Sequence, residues 1–304
     1  MLYEGDDGFL RATLGFVREG VALGHPVMVA VPAERLALLA DALGPDAERV
    51  ELVDMTRMGH NPARIIPAWR AFVEAHRDHG GPLRGVGEPV WAGRRAAELA
   101  ECQLHEALLN VAVGPDEPLW LRCPYDVAAL APEVLELAGH SHPALVQDGA
   151  HRGSTAYEGF AHVQEIFGGA LPEPPGDHEM TPFTPDDLQG VRRRVSEHAA
   201  RHGVGGDRAA DLELAVTELA TNSLRHAGGE GLLRTWRDGD ALVVEVTDRG
   251  RIVDPLVGRR PPGPDDEGGR GVWMANQLCD LVQVRSSGEG TVVRALMWLE
   301  RAAA

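Results

Sequence analysis

Lysine is absent from this 304-residue chain, so all 29 basic side chains are arginine, set against 46 acidic ones and a formal net charge of −17. Three chemistries go with the missing amine: the lysine of a G-x-x-x-x-G-K-[ST] phosphate loop, Schiff-base catalysis, and the strand-borne lysine of protein kinases. Any handling of ATP must rest on a fold that needs no lysine. The acidic surplus argues against duplex binding, because affinity for a phosphate backbone grows with the cations presented to it, and no direct nucleic-acid partner is expected. Cysteine is nearly as scarce. Cys102, Cys123 and Cys279 form no C-x-x-C pair and no disulfide framework, which suits a reducing cytoplasm. No apolar run of about 18 residues occurs, and the opening MLYEGDDGFL is acidic where a secretory signal would be cationic. The expectation is a soluble, cytoplasmic protein without a membrane partner.

The length predicts two domains at roughly 100 to 200 residues each. Residues 171–187, LPEPPGDHEMTPFTPDD, carry five prolines and no apolar periodicity, which is the composition of a linker. The expected division is 1–170, a Pro-rich linker over 171–187, and 188–304. Before the linker, HPVMVAVP (25–32), RVELVDM (49–55) and LWLRCPYD (119–126) predict short buried strands, alternating with amphipathic helical stretches. That alternation predicts an α/β layer with a mainly parallel sheet. After the linker come two helical patterns, a hairpin GLLRTWR-DGD-ALVVEVTD, a Pro/Gly-rich loop, a helix GVWMANQLCD and a second hairpin LVQVRSS-GEG-TVVRALMWL. Helices segregated from antiparallel hairpins predict an α+β sandwich with one face of the sheet covered.

Chemistry concentrates in ELATNSLRHA, residues 218–227. Glu218 and Asn222, four residues apart, lie roughly 40° from each other on one helical face, beside an apolar stripe of Leu212, Val216 and Leu219. Asn is a neutral oxygen ligand suited to Mg²⁺ that also holds phosphates, and a carboxylate one turn away can accept a hydroxyl proton. The decapeptide alone reads equally well as an ordinary polar helix face. Asp248-Arg249-Gly250 ends an apolar strand, where a carboxylate can accept from an adenine amino group and Gly lets a base approach the backbone. Gly268-Gly269-Arg270-Gly271 precedes a helix, so N–H groups and the positive helix end would face an anion.

In this order, with Gly290-Thr291 in the last hairpin, these segments resemble the GHKL ATPases of the Bergerat fold over about residues 186–300. E-L-x-T-N-x-x-R-H-A and GRGVWMANQLCD are most similar to the bacterial anti-sigma-factor serine kinases. The resemblance implies ATP and Mg²⁺, with Asn222 on the metal, Glu218 as general base, Asp248 and Thr291 at adenine, Gly250 supporting the base, and Gly268, Gly269, Arg270 and Gly271 in the lid. It also implies a sigma factor and a STAS-domain antagonist as partners, the antagonist being phosphorylated on serine. Arg259, Arg260 and Arg270 are the local cations for a γ-phosphate. Two other outcomes stay open: an ATP-gated binding switch without catalysis, and a histidine kinase. For the latter, His198 in RRRVSEHAARHG reads as a solvated helix-edge residue, and no dimerisation hairpin precedes the domain.

Residues 1–165 resemble MEDS sensory domains, relatives of RecA-like ATPases, through GHPVMVAVP, GHNPARIIPAWRAF, GEPVWAGR, HEALLN and LRCPYD. The fold this implies is a RecA-like layered α/β domain receiving an unidentified small-molecule or protein signal. It has no phosphate-binding G-x-x-x-x-G-K-[ST] loop. Cys102 and His105, with Cys123 on a strand, form a candidate metal set, although buried thiols usually serve as core. Cys123-Pro124-Tyr125-Asp126 is the better candidate site, since parallel sheets bind ligands beyond their carboxyl edges, and it also reads as a strand-ending turn. Trp69 and Trp91 are expected to fill core or interface. The oligomeric state stays open, a homodimer included.

Overall fold

The structure is a computed structural model that describes residues 1–114, 116–147, 150–176, 178–263 and 269–299. It divides into two compact units, Met1–Val163 and Gln164–Ala304.

The first unit runs β1 (Leu2–Tyr3), α1 (Gly5–Leu23), β2 (Val27–Val31), α2 (Ala33–Leu43), β3 (Glu51–Asp54), α3 (Met55–Met58), α4 (Ile65–Ala75) and β4 (Leu83–Gly87). It continues with α5 (Ala96–Ala112), β5 (Leu119–Arg122), β6 (Tyr125–Asp126), α6 (Pro132–Ser141), β7 (Ala144–Gln147) and β8 (Ala150–Gly153), and α7 (Phe160–Gly168) spans the division between units. The main sheet is parallel, in the order β3-β2-β4-β5. Strand β2, VMVAV, is buried along its whole length, because helices cover both faces of such a sheet. Phe9, Val17 and Val21 of α1 pack with Val27, Val29 and Val31 of β2 and Leu39 of α2 into one core cluster.

Strand β4 was not among the three expected strands, yet it lies between β2 and β5. Its sequence, LRGVG, lacks an apolar run because a tertiary contact shapes it. A Cβ on Gly85 or Gly87 would lie 2.7 or 2.9 Å from the Trp69 ring, so the glycines make room for that buried indole. Arg84, just before them, is buried, donating to Phe16 O and to Glu19 at 2.8 and 2.7 Å. Trp69 thus fills core as expected, while Trp91 is half-buried under the Arg94 guanidinium.

The second unit comprises β9 (Glu179–Phe183), α8 (Leu188–Arg201), α9 (Gly206–His226), β10 (Gly231–Asp238), β11 (Ala241–Asp248), α10 (Arg270–Leu278), β12 (Leu281–Ser287) and β13 (Gly290–Trp298). One antiparallel sheet, ordered β12-β13-β11-β10-β9, carries both expected hairpins. The Pro-rich stretch contributes its edge strand: β9 pairs with β10, and Phe183 sits where a Cβ on Gly231 would be 2.2 Å from its ring. Along β11, Leu242, Val244, Val246 and Asp248 face α9, and the alternate residues face away. On that opposite face Glu245 is fully buried between Arg234 and Arg294, its cross-strand neighbours, with Arg294 Nη2 donating at 2.6 Å.

Candidate functional site

Helix α9 buries Leu212, Val216, Leu219 and Ser223 against the sheet, which leaves Glu218 and Asn222 half-buried at the edge of that stripe. Neither Glu218 nor Asn222 makes a side-chain hydrogen bond or ion pair with any described residue, so both keep their polar atoms for a ligand. Asp248, at the last position of β11, is held from two sides. Ser223 Oγ donates to its Oδ2 at 2.5 Å, and the Gly250 N–H donates to its Oδ1 at 2.7 Å. Each carboxylate oxygen retains a lone pair, so the group is fixed and still able to accept.

A second layer of hydrogen bonds sets the turn after Asp248. Thr291, opposite Asp248 in the β11–β13 ladder, donates from Oγ1 to Gly250 O at 2.9 Å and shares a 2.8 Å bond with Ser286, which accepts from the Ile252 N–H. The Thr291 hydroxyl therefore spends its proton on the turn and can only accept from a ligand. A Cβ on Gly250 would lie 3.0 Å from Ala227 Cβ and 3.0 Å from Asp248 Oδ1, so smallness matters there. Gly290, at φ +139°, brings its Cα within reach of Asp248 O, where a Cβ would be 2.2 Å away.

Asn222, Ser223, Asp248, Gly250 and Thr291 line one side of a cavity of about 350 Å³. Leu219, Ile252, Val257, Val272 and Val293 supply apolar walls. A slot with apolar faces and one charged acceptor at its end is suited to a flat heteroaromatic ring bearing an amino group. Helix α10 starts at the cavity edge: Gly269, its N-cap at φ +83°, and Val272 both line the cavity. The positive end of that helix favours an anion at the mouth.

Of the residues singled out from sequence, Asn222, Asp248, Gly250, Gly269 and Thr291 line this cavity, whereas Glu218, Arg270 and Gly271 stand beside it. Gly271 belongs to the first turn of α10, and a Cβ there would be 2.3 Å from Asn222 Nδ2. Arg270 is exposed and donates to Gly263 O at 3.2 Å. Gly268 and the acidic Pro264–Glu267 stretch lie outside the described residues. Of the local cations named from sequence, Arg259 is buried and Arg260 pairs with Asp254 at 2.7 Å, while exposed Arg251, which sequence reasoning did not name, lines the cavity.

Sequence reasoning missed Ser223 and Ser286, although each neighbours a residue it named. It also missed the latch between Asn276 and Gly258: Nδ2 donates to Gly258 O at 3.0 Å, and at φ +68° a Cβ on that glycine would be 2.5 Å from Val272. His198 is a correction too. It is buried, its Nε2 bonds Trp236 O at 3.1 Å, and burial lowers its pKa, so it is not a solvated residue. In the first unit, Cys102 and His105 do not converge with Cys123 on one point among the described residues. Cys102 Sγ donates to Pro89 O at 3.3 Å, and burial pushes its thiol up to about 12. No helix among the described residues is long and apolar enough to cross a membrane.

Comparison with known proteins separates the same two regions. Residues 1–143 match the MEDS family, the methanogen/methylotroph DcmR sensory domain, and residues 181–297 match the histidine kinase-like ATPase domain. The serine-protein kinase RsbW of Halalkalibacterium halodurans is 32% identical over 136 residues, 40% of this chain and 83% of the relative. RsbW of Bacillus velezensis is 33% identical and RsbW of Bacillus subtilis 31%, each over 36% of this chain and 78% of the relative. A chain holding the RsbU and RsbW domains of Rv1364c from Mycobacterium tuberculosis is similar at 20% identity and a TM-score of 0.30, over 41% of this chain and 34% of that one. Through its second unit, a kinase-like ATPase domain, the chain belongs to the RsbW family, and it carries a MEDS domain ahead of that unit.

Proposed function

We propose that the second unit is an ATP- and Mg²⁺-dependent serine kinase that binds a sigma factor and phosphorylates a STAS-type antagonist, under control of the MEDS domain. The observation that carries this reading is the pair Glu218 and Asn222: one helical turn apart, at the cavity edge, and without polar partners among the described residues. Asp248 accepts from the adenine amino group, oriented by Ser223 and Gly250. Asn222 offers its side-chain oxygen to Mg²⁺, and its unpartnered amide beside the start of α10 fits that role. An ion held there would supply charge neutralisation for the phosphates. Glu218 accepts the proton of the attacking serine hydroxyl, and Arg251 supplies positive charge at the cavity.

The RsbW relatives, named serine-protein kinases, support the reaction class. The burial of His198 weighs against the histidine-kinase alternative. The decisive experiment incubates the full chain with labelled ATP and candidate STAS proteins. Acid-stable label on a STAS serine is expected, and Glu218→Gln should bind ATP normally while losing about 10²- to 10⁴-fold in transfer rate. Equal phosphorylation by both proteins would remove Glu218 as the base. Nucleotide binding with no transfer to any STAS partner would favour the ATP-gated switch.

A further inference from the structure

The geometry points to a divalent metal site of the zinc class in the first unit, formed by Glu106, Cys123 and His142. The three residues come from different elements: Glu106 from α5, Cys123 from just beyond β5, and His142 from the C-cap of α6. One ligand atom from each, a carboxylate oxygen, the sulfur and a ring nitrogen, lies within 4.8 Å of the other two. Four-coordinate zinc with its usual bond lengths needs separations of about 3.5 Å, so a contraction of about 1 Å completes the site. The location is the carboxyl edge of a parallel sheet, where α/β folds bind ligands.

Two of the three ligands are already oriented by an outer partner. His142 Nδ1 is 2.8 Å from Ala138 O, which fixes the proton on Nδ1 and leaves Nε2 as a lone pair. That Nε2 faces Glu106 Oε1 at 3.9 Å, too far for a hydrogen bond. The Tyr125 hydroxyl donates to Glu106 Oε2, and its ring meets the His142 ring edge-on at 5.7 Å. A carbonyl behind the histidine and a donor behind the carboxylate are the outer contacts that metal ligands normally have.

The independent sign of a missing partner is Glu106 Oε1, a buried carboxylate oxygen with no hydrogen bond. Thiolate and carboxylate together carry two negative charges, which a dication neutralises where either charge alone would be costly. Mixed sulfur, nitrogen and oxygen donors select zinc-like ions over Mg²⁺ or Ca²⁺, which take oxygen. Three protein ligands leave a fourth position for water or a small donor molecule, as in exchangeable zinc centres.

A second group, His140, Glu158 and His162, lies nearby in sequence but contains no sulfur, and this separates the two experimentally. The full chain, stripped with chelator, is titrated with Co²⁺ and followed by the thiolate-to-cobalt charge-transfer band, then by Zn²⁺ displacement. One equivalent with that band is expected. Cys123→Ser should abolish the band, and His142→Ala should weaken binding at least about 100-fold. Cys102→Ser and His162→Ala should leave the band unchanged. No band with Co²⁺ in excess, a band that survives Cys123→Ser, or full affinity in His142→Ala would each overturn the assignment. Should Cys123→Ser fail to fold, as read by circular dichroism, His142→Ala, at a partly exposed position, carries the decision.

Discussion

Replacing Gly271 by Ala separates ligand positioning from stability. In the first turn of α10 a Cβ would sit 2.3 Å from Asn222 Nδ2, 3.2 Å from Asn222 Cγ and 3.3 Å from Glu218 Cβ. The severe overlap is with the end of one side chain that has no polar partner among the described residues, so Asn222 can swing aside. An off-rotamer side chain costs about 0.5–1.5 kcal/mol, and Gly→Ala within a helix returns up to about 1 kcal/mol. Folding stability should therefore change by no more than about 1 kcal/mol. Binding should not escape so lightly, because the displaced amide is the proposed Mg²⁺ ligand. Losing one contact to a charged group costs about 1.5–3 kcal/mol, or about 10- to 150-fold in affinity. Thermal unfolding without nucleotide and calorimetry with MgATP measure the two separately. A chain of normal stability with wild-type MgATP affinity would refute the role of Asn222. A loss of several kcal/mol in stability would mean that the close approach of α9 and α10 is structural.

Asp248→Asn keeps an acceptor for the Gly250 N–H, and the Ser223 hydroxyl can turn to accept, so the fold should survive while calorimetry records ATP binding weaker by about 1–3 kcal/mol. Glu88, buried with Tyr3 Oη donating to it at 2.6 Å, has its pKa pushed by burial from the ordinary 4.5 to about 7. The unfolded chain releases this proton first, so the stabilisation is complete below pH 4.5 and is lost as pH rises to about 7, a fall of about 3 kcal/mol that urea unfolding should show and Glu88→Gln should flatten. Glu245→Gln leaves Arg294 without an acidic partner among the described residues and Arg234 with Glu173 at 3.7 Å, on the sheet face turned away from α9, and should cost about 3 kcal/mol in the same assay.

The second unit was legible almost element by element, since its helices and hairpins carry their own periodicity and turn residues: Asp238-Gly239 and Gly288-Glu289-Gly290 mark both β-turns. Of the strands that escaped, which include the short β1, β7 and β8, two show the physical reason plainly. Strand β4 gives up side chains to admit Trp69, so alternation and apolar content vanish from a strand at the middle of the sheet. Strand β9 sits at a sheet edge, where Pro182 is tolerated because one side of the strand needs no ladder partner, and its proline content imitates a tether. A fragment cut at residue 188 would lose that strand, so the MEDS domain's proposed control of the kinase is better tested against residues 164–304.

The candidate site divides along the same line between local and non-local information. Glu218, Asn222 and Asp248 were visible because helix spacing and strand ends place them without knowledge of the rest of the chain. The role of Arg251 depends on the path of the loop after Asp248, which Thr291, Ser286 and the Asn276–Gly258 contact impose from distant strands and helices. The glycines show the limit most plainly. Sequence alone does not say what each one is needed for: Gly250 and Gly271 have ordinary backbone angles and are needed for their size, Gly269 has open space around its Cβ position and is needed for its left-handed angle, and Gly258 and Gly290 meet both demands. An alanine scan should therefore not act uniformly. At Gly269 the cost is backbone strain at the helix start, whereas at Gly271 it is a displaced ligand, and only the second should spare stability while reducing nucleotide affinity.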